Sequence, residues 1–385
     1  MELIELYKKA ANISGRNIVS LIVEAVWLRV SAKKLGLTEY IDFKLYQLDI
    51  PWESKLSFGG QRAQADVEEV LIDDYSRFLS LDKITMYALL SGFGFPIPSV
   101  VATYRSIRPS HHVQLHSKED LIRFLSTREN LPIYIKRSFG SYGRGNVLVA
   151  DCDGSHVTLG NGSTESICQF AGSLDDARSL GWILQQPLAA HGAIATLTGS
   201  KKISGLRVHT FMGKTQPRVT KAIFKLNAGL SDSDNFEHGK SGNMLAAVDI
   251  ESGKILRAIS GVGLNQVEIS VHPKTGAKLI GFEIPNWTAV IRLVNEAQKA
   301  FPGFLCPGWD IALCDDGPKI LEVNAFGDVD LSQHAYRSTF FDVDFLACLR
   351  DRGLAELLHK SSGKRTKSKL NNRIGLIGLT QSELS

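Results

Sequence analysis

From Pro132 to Ala150 the chain reads P-I-Y-I-K-R-S-F-G-S-Y-G-R-G-N-V-L-V-A. Apolar, β-branched runs flank a loop from Ser138 to Gly145 with glycines at 140, 143 and 145, which predicts two strands joined by a glycine loop. That connection narrows the architecture. A Walker-type phosphate loop joins a strand to a helix and closes with Gly-Lys-Ser/Thr, whereas here the lysine precedes the glycines and a strand follows them. Successive amides in such a turn can form an anion nest, and Lys136 on the incoming strand supplies a point charge, a pairing suited to a polyphosphate. A glycine-rich hairpin with nothing bound reads the same.

The rest of the chain alternates helix and strand patterns, as an α+β protein does. With 385 residues and 44% hydrophobic content it can bury the cores of two or three subdomains. The formal charge of +4, from 44 basic and 40 acidic residues, gives no reason to expect a nucleic-acid or membrane surface. Cys152, Cys168, Cys306, Cys314 and Cys348 form no C-x-x-C pair and match no zinc spacing, so free thiols in the cytoplasm are expected. The opening M-E-L-I-E-L-Y-K-K has no basic segment before an apolar core, so no signal peptide is expected. The stretch I-V-S-L-I-V-E-A-V-W-L (18–28) contains Glu24 and is too short to span a bilayer. It reads as a buried helix, part of one long helix from Arg16 to Lys34 with Gly36 at its C′ position.

Residues 1–80 read as a helical leading region, with a further helix over 65–79. From Asp82, D-K-I-T-M-Y-A-L-L-S-G-F-G reads as a helix and turn, followed by a strand in P-I-P-S-V-V-A-T-Y. Ser117 and Asp120 have the spacing of a capping box, so a helix is expected over 118–128. Strands are expected at 182–188, 205–211, 217–226 and 244–249, and an amphipathic helix at 287–300. G-W-D-I-A-L-C and K-I-L-E-V-N-A then form a last strand pair around D-D-G-P. Residues 361–385 read as a loosely held tail.

The last pair carries chemistry. Residues i and i+2 of a strand share a face, so Glu322 and Asn324 point one way while Leu321 and Val323 point into the core. If the D-D-G-P turn holds an odd number of loop residues, Asp310 joins the first face. Two carboxylates and an amide oxygen there would suit Mg2+ bound with a nucleotide, although a solvated hairpin face has the same composition. Arg207 and His209 alternate with Leu206 and Val208 and so share a strand face. The segment D-N-F-E-H-G (234–239) reads as a polar connection or a substrate loop.

In order along the chain come the lysine strand with its glycine loop, Q-Q-P-L, L-R-V, D-N-F-E-H-G and the D…E-x-N hairpin. That order resembles the ATP-grasp superfamily, and the run Q-P-L-A-A-H, V-D-I-E-S-G-K, H-P-K-T-G-A-K-L-I-G-F-E-I-P-N-W is most similar to its sugar-transfer associated group. The resemblance implies an ATP-grasp fold, two α+β lobes around ATP, over residues 81–360, with a lid subdomain at about 104–186 and a core subdomain at about 187–360. It implies that Lys136 contacts the α/β-phosphates and that Ser138, Gly140, Ser141, Gly143 and Gly145 close over them. Gln185, Gln186 and Leu188 would form the hinge beside adenine. Arg207 would meet the transferring phosphate, with Lys225 a second cation and Asn235 near phosphate and acceptor. Asp310, Glu322 and Asn324 would hold Mg2+, or Mn2+ in its place. The implied activity is an ATP-dependent carboxylate–amine ligase acting through an acyl phosphate on an amino acid, peptide or sugar acid, its partners being those small molecules and a second copy in a homodimer. A small-molecule kinase and an inactive nucleotide-binding module are the alternatives. After E-V-N the family's proline-glycine pair is replaced by A-F-G-D, with Asp328 and Asp330 close behind.

Overall fold

The computed structural model describes residues 3–354 except 32, 109, 141–144, 176–179, 229–232 and 302. Helices come first: α1 (Leu3–Ser14), α2 (Ile18–Val30), α3 (Leu37–Asp42), α4 (Trp52–Ser57), α5 (Gln61–Leu71), α6 (Asp74–Leu81) and α7 (Lys83–Gly92). The leading helices α1 to α3 close a core around Tyr7, Leu21, Leu28, Tyr40 and Tyr46.

Three sequence expectations need correction here. The helix expected over 16–34 is α2 alone, which ends at Val30, and Gly36 is the N-cap of α3, where the Glu39 carboxylate turns back to accept the Gly36 amide. Nor is α2 buried: Leu21, Ala25 and Leu28 face the core, whereas Val19, Val23, Val26, Trp27 and Val30 on the opposite side are exposed. The helix expected over 65–79 is two, because Asp73 adopts extended backbone and its carboxylate caps the Ser76 amide at 2.8 Å, starting α6 afresh.

One seven-stranded sheet runs β2-β1-β7-β3-β4-β5-β6. Its strands are β1 (Val100–Tyr104), β2 (Val113–Leu115), β3 (Ile133–Arg137), β4 (Val147–Cys152), β5 (His156–Leu159), β6 (Thr164–Ser166) and β7 (Trp182–Gln185). Helices α8 (Lys118–Ser126) and α9 (Ile167–Ser173) supply Leu121, Leu125, Ile167 and Phe170 to its core. The reciprocal capping box of Ser117 and Asp120 does start α8. Strands β3 and β4 pair antiparallel, Ile133 opposite Val149, so the glycine loop joins the arms of a hairpin.

The second sheet runs β12-β11-β10-β9-β8-β13-β14. It comprises β8 (Gly205–Met212), β9 (Pro217–Leu226), β10 (Met244–Val248), β11 (Ile255–Ser260), β12 (Val267–Glu268), β13 (Gly308–Cys314) and β14 (Gly317–Asn324). Helices α10 (Gly192–Thr198), α11 (Trp287–Ala300), α12 (Val329–Tyr336) and α13 (Val343–Asp351) complete the order. Strand alternation divides β9 between two faces: Ala222 and Phe224 join a core with Val290 and Val294 of α11, while Ile223 joins a second with Ala335 of α12. Lys225 shares the Ile223 face, and Arg207, opposite Ile223, points the same way.

The β13–β14 register corrects the expected alternation. Cys314 pairs with Gly317, so the turn holds two residues, Asp315 and Asp316, and an even loop alone would set Asp310 opposite Leu321. A β-bulge intervenes between Ile311↔Ile320 and Asp310↔Glu322. Leu321 is the extra residue. It lines a cavity instead of entering the core, Ile320 and Val323 are buried in its place, and Asp310 stands opposite Glu322. The expected C-terminal tail lies outside the described residues.

Candidate active site

A cavity of about 1160 Å³ opens between the two sheets. Lys136 and Tyr134 of β3 line it from the first sheet, and Arg207, Lys225, Asp310, Glu322 and Asn324 line it from the second. Arg207 and Asp310 form a two-point pair, Nε to Oδ1 at 2.7 Å and Nη2 to Oδ2 at 3.0 Å. Lys225 Nζ reaches the same Oδ1 at 3.3 Å and Asp234 Oδ1 at 3.1 Å. Burial opposes the charge on Arg207, yet Asp310 holds its pKa above the ordinary value; Asp310, buried as well, is held well below the usual carboxylate range by Arg207 and Lys225. Both groups are therefore ionised in the resting protein.

Lys136 is a different case. Burial pushes its pKa down to about 8, and the nearby Glu322 and Asp310 resist that fall. Its Nζ donates to the Tyr87 hydroxyl and lies 4.7 Å from the centre of the Tyr87 ring. The same hydroxyl donates to the Leu321 carbonyl, so α7 satisfies a backbone acceptor at the bulge and ties β3 to β14. Lys83, the first residue of α7, donates to the Gly140 carbonyl and sits 3.1 Å from Glu322 Oε1.

Of the other residues singled out by sequence, Gln185, Gln186 and Leu188 line the cavity, and the Gln186 amide donates to Ser99 O at 2.9 Å. Gly140 lines it at φ +116, a conformation that favours glycine. Ser138 turns its hydroxyl inward to Leu180 O and Gly181 O, both at 2.9 Å, and Gly145 packs on Trp182. Ser141 and Gly143 lie outside the described residues. Asn235 lines the cavity while its carbonyl accepts from Asn243 Nδ2 at 2.8 Å. Asn324 donates Nδ2 to Gly308 O at 3.4 Å. His209, placed by sequence on the Arg207 face, is fully buried: a Cβ at Gly327 would meet its Cε1 at 2.1 Å, so the glycine of A-F-G-D caps the ring.

Sequence reasoning missed Lys83, Tyr87 and Asp234 as members of the site. All three lie in segments whose pattern was noted, and the signal available was a lysine opening a helix directly after an aspartate cap.

Residues 69–344 match the profile of the family described as sugar-transfer associated ATP-grasp. The chain belongs to that family. Its α+β architecture is the ATP-grasp fold. Similar solved structures include the D-alanine–D-alanine ligase of Bacillus anthracis, at 12% identity over 80% of this chain and 76% of that one, TM-score 0.39. The N5-carboxyaminoimidazole synthase of Aspergillus clavatus, solved with ADP and 5-aminoimidazole ribonucleotide, is 11% identical over 75% of this chain and 62% of that one, TM-score 0.36. Likenesses this distant assign no residue a role. No curated protein matches the chain.

In this ATP-grasp protein the cavity lining holds further carboxylates. Gln64 and Glu68 of α5, Glu237, and Asp328 and Asp330 at the start of α12 belong to it. Burial, then the neighbouring charges of Asp328, Glu39 and Asp42, push Asp330 up to about 7. Gln64 ties the N-terminal region to the start of α12, its Oε1 accepting from the Val329 amide at 3.3 Å. Among the described residues no group of three or more His, Cys, Asp and Glu could hold a metal ion, and no helix is long and apolar enough to cross a membrane.

Proposed function

We propose that this protein is an ATP-dependent carboxylate–amine ligase that activates an amino acid, peptide or sugar acid as an acyl phosphate. The observation that carries the reading is the gathering of four cations, Lys136 from the first sheet, Arg207 and Lys225 from the second and Lys83 from α7, around Asp310 and Glu322 in one cavity. Such an arrangement suits a moving phosphoryl group, whose transfer needs charge stabilisation and positioning more than a protein nucleophile.

The donor set fits a magnesium ion in one particular way. Asp310, Glu322 and the Asn324 amide are hard oxygen donors, too few for a closed cage and so suited to an ion that keeps positions for phosphate and water. Bound there, Mg2+ would neutralise phosphate charge as a Lewis acid. The chain's own residues do the rest. Lys136 and Lys83 hold the phosphates beneath the glycine loop, and Arg207 and Lys225 exchange carboxylate for the oxygens of the transferring phosphate. Gln185, Gln186 and Leu188 seat the base. Asp328 and Asp330 bind the amine as an ammonium and take one proton to free its lone pair; as the C–N bond forms and the acyl–phosphate bond breaks, the second proton leaves on the departing phosphate.

The test uses the purified chain with Mg-ATP and a panel of acids, with hydroxylamine offered as the amine. A hydroxamate with equal release of ADP and inorganic phosphate is expected. A stable phosphorylated product with no free phosphate would make the protein a kinase.

A further inference from the structure

Helix α2 carries two apolar faces, and only one is covered. Leu21, Ala25 and Leu28 enter the N-terminal core. Val19, Ile22, Val23, Val26, Trp27 and Val30 are all exposed, Trp27 at 63% and Val30 at 74%. At about 100° per residue these six fall within an arc of roughly 140°, a continuous stripe along the helix. Glu24 does not interrupt it, because its carboxylate turns inward to Arg16 at 2.7 Å, Lys55 at 2.6 Å and the Tyr40 hydroxyl at 2.9 Å.

We propose that this stripe is the contact face of a symmetric homodimer, α2 of one copy lying against α2 of the next. The six side chains present on the order of 500 Å² of apolar surface per copy, at the upper range of what a monomer ordinarily shows. Two copies together would bury about 1,000 Å², the floor that a biological interface clears. A stripe without charge is complementary to itself under a two-fold axis, whereas a charged patch would repel its own image. Trp27 in the last turn supplies the large aromatic anchor that such interfaces concentrate their energy on. A bilayer fits less well, since an interfacial helix carries lysines and arginines along its polar face, and α2 has Arg29 alone while that face is packed on protein. The dimer is independent of the activity proposed above and leaves the cavity open.

Sedimentation velocity on the full chain tests it. The wild type is expected to sediment as a dimer of the 42.3 kDa chain at micromolar concentration. Val23→Glu and Trp27→Lys each place like charges across the two-fold and should weaken association at least 100-fold, with unchanged circular dichroism and ATP turnover because both side chains already face water. A monomer from micromolar to the solubility limit overturns the proposal, as does a dimer that both variants leave intact. Flotation with phosphatidylglycerol vesicles provides the remaining arm: no binding is expected, and wild-type binding that Val23→Glu abolishes would assign the stripe to lipid instead.

Discussion

Arg207 and Asp310 stand directly opposite each other on β8 and β13, joined at 2.7 and 3.0 Å. The group proposed for phosphate and the group proposed for metal thus neutralise each other in the resting protein, and ligand binding becomes an exchange of partners. Buried charge stays compensated at each stage.

Removing one member should therefore cost stability as well as activity. Asp310→Ala leaves Arg207 and Lys225 facing each other without their shared carboxylate, and a loss of about 3–5 kcal/mol is expected, with turnover down by about 10²–10³. Adding Arg207→Ala should restore part of the stability and none of the turnover. Urea denaturation and ADP release measure the two. Full additivity of the stability losses would show that the pair is not coupled.

Lys83 bridges Glu322 and the Gly140 carbonyl. Lys83→Met should raise KM for ATP about tenfold, the equivalent of about 1.4 kcal/mol, with a smaller effect on the acceptor's KM. Steady-state kinetics with each substrate varied in turn would read this. An unchanged KM for ATP would leave Lys83 a purely structural residue.

Nucleotide affinity should depend on pH through Lys136. With its pKa at about 8, the ammonium that meets phosphate is present below pH 8 and lost above it, so affinity should fall by up to about tenfold per pH unit beyond that point. The sign for stability is opposite: unfolded lysine keeps its proton up to about 10.5, so between the two values the unfolded chain binds more protons and the nucleotide-free protein gains stability as pH rises. Titration calorimetry on either side of pH 8 checks the first and thermal melts the second. Lys136→Arg, always charged, should bind ATP more weakly but with the pH slope removed.

Asp330 gives a prediction of stabilisation. Its carboxyl, held at about 7, binds a proton in the folded state that the unfolded chain releases near pH 4, so stability falls as pH rises through that window. Asp330→Asn should raise Tm by about 2–4 °C at pH 8 and flatten the decline between. A lower Tm at pH 8 would mean that the ionised carboxylate has a stabilising partner. Turnover should drop if this carboxylate receives the amine.

The elements themselves were legible because their signals are local. Alternation of β-branched residues placed β3, β4, β8, β9, β13 and β14, and the Ser117–Asp120 spacing placed the start of α8. Two failures were local caps passed over, Glu39 three residues after Gly36 and Asp73 three before Ser76. The other depended on tertiary packing, since nothing in the apolar run of α2 says that only one side will be covered.

The sequence by itself determined the family and the residue types along the cavity, since motif order and strand period are written in the chain. Only the tertiary structure decided that Glu322 faces Asp310. A two-residue turn counts the wrong parity, and the bulge at Leu321 corrects it, its carbonyl held by the Tyr87 hydroxyl from α7. Register depends on which hydrogen bonds a strand finds across space, and Tyr87 lies more than two hundred positions away in sequence, at |i−j| = 234.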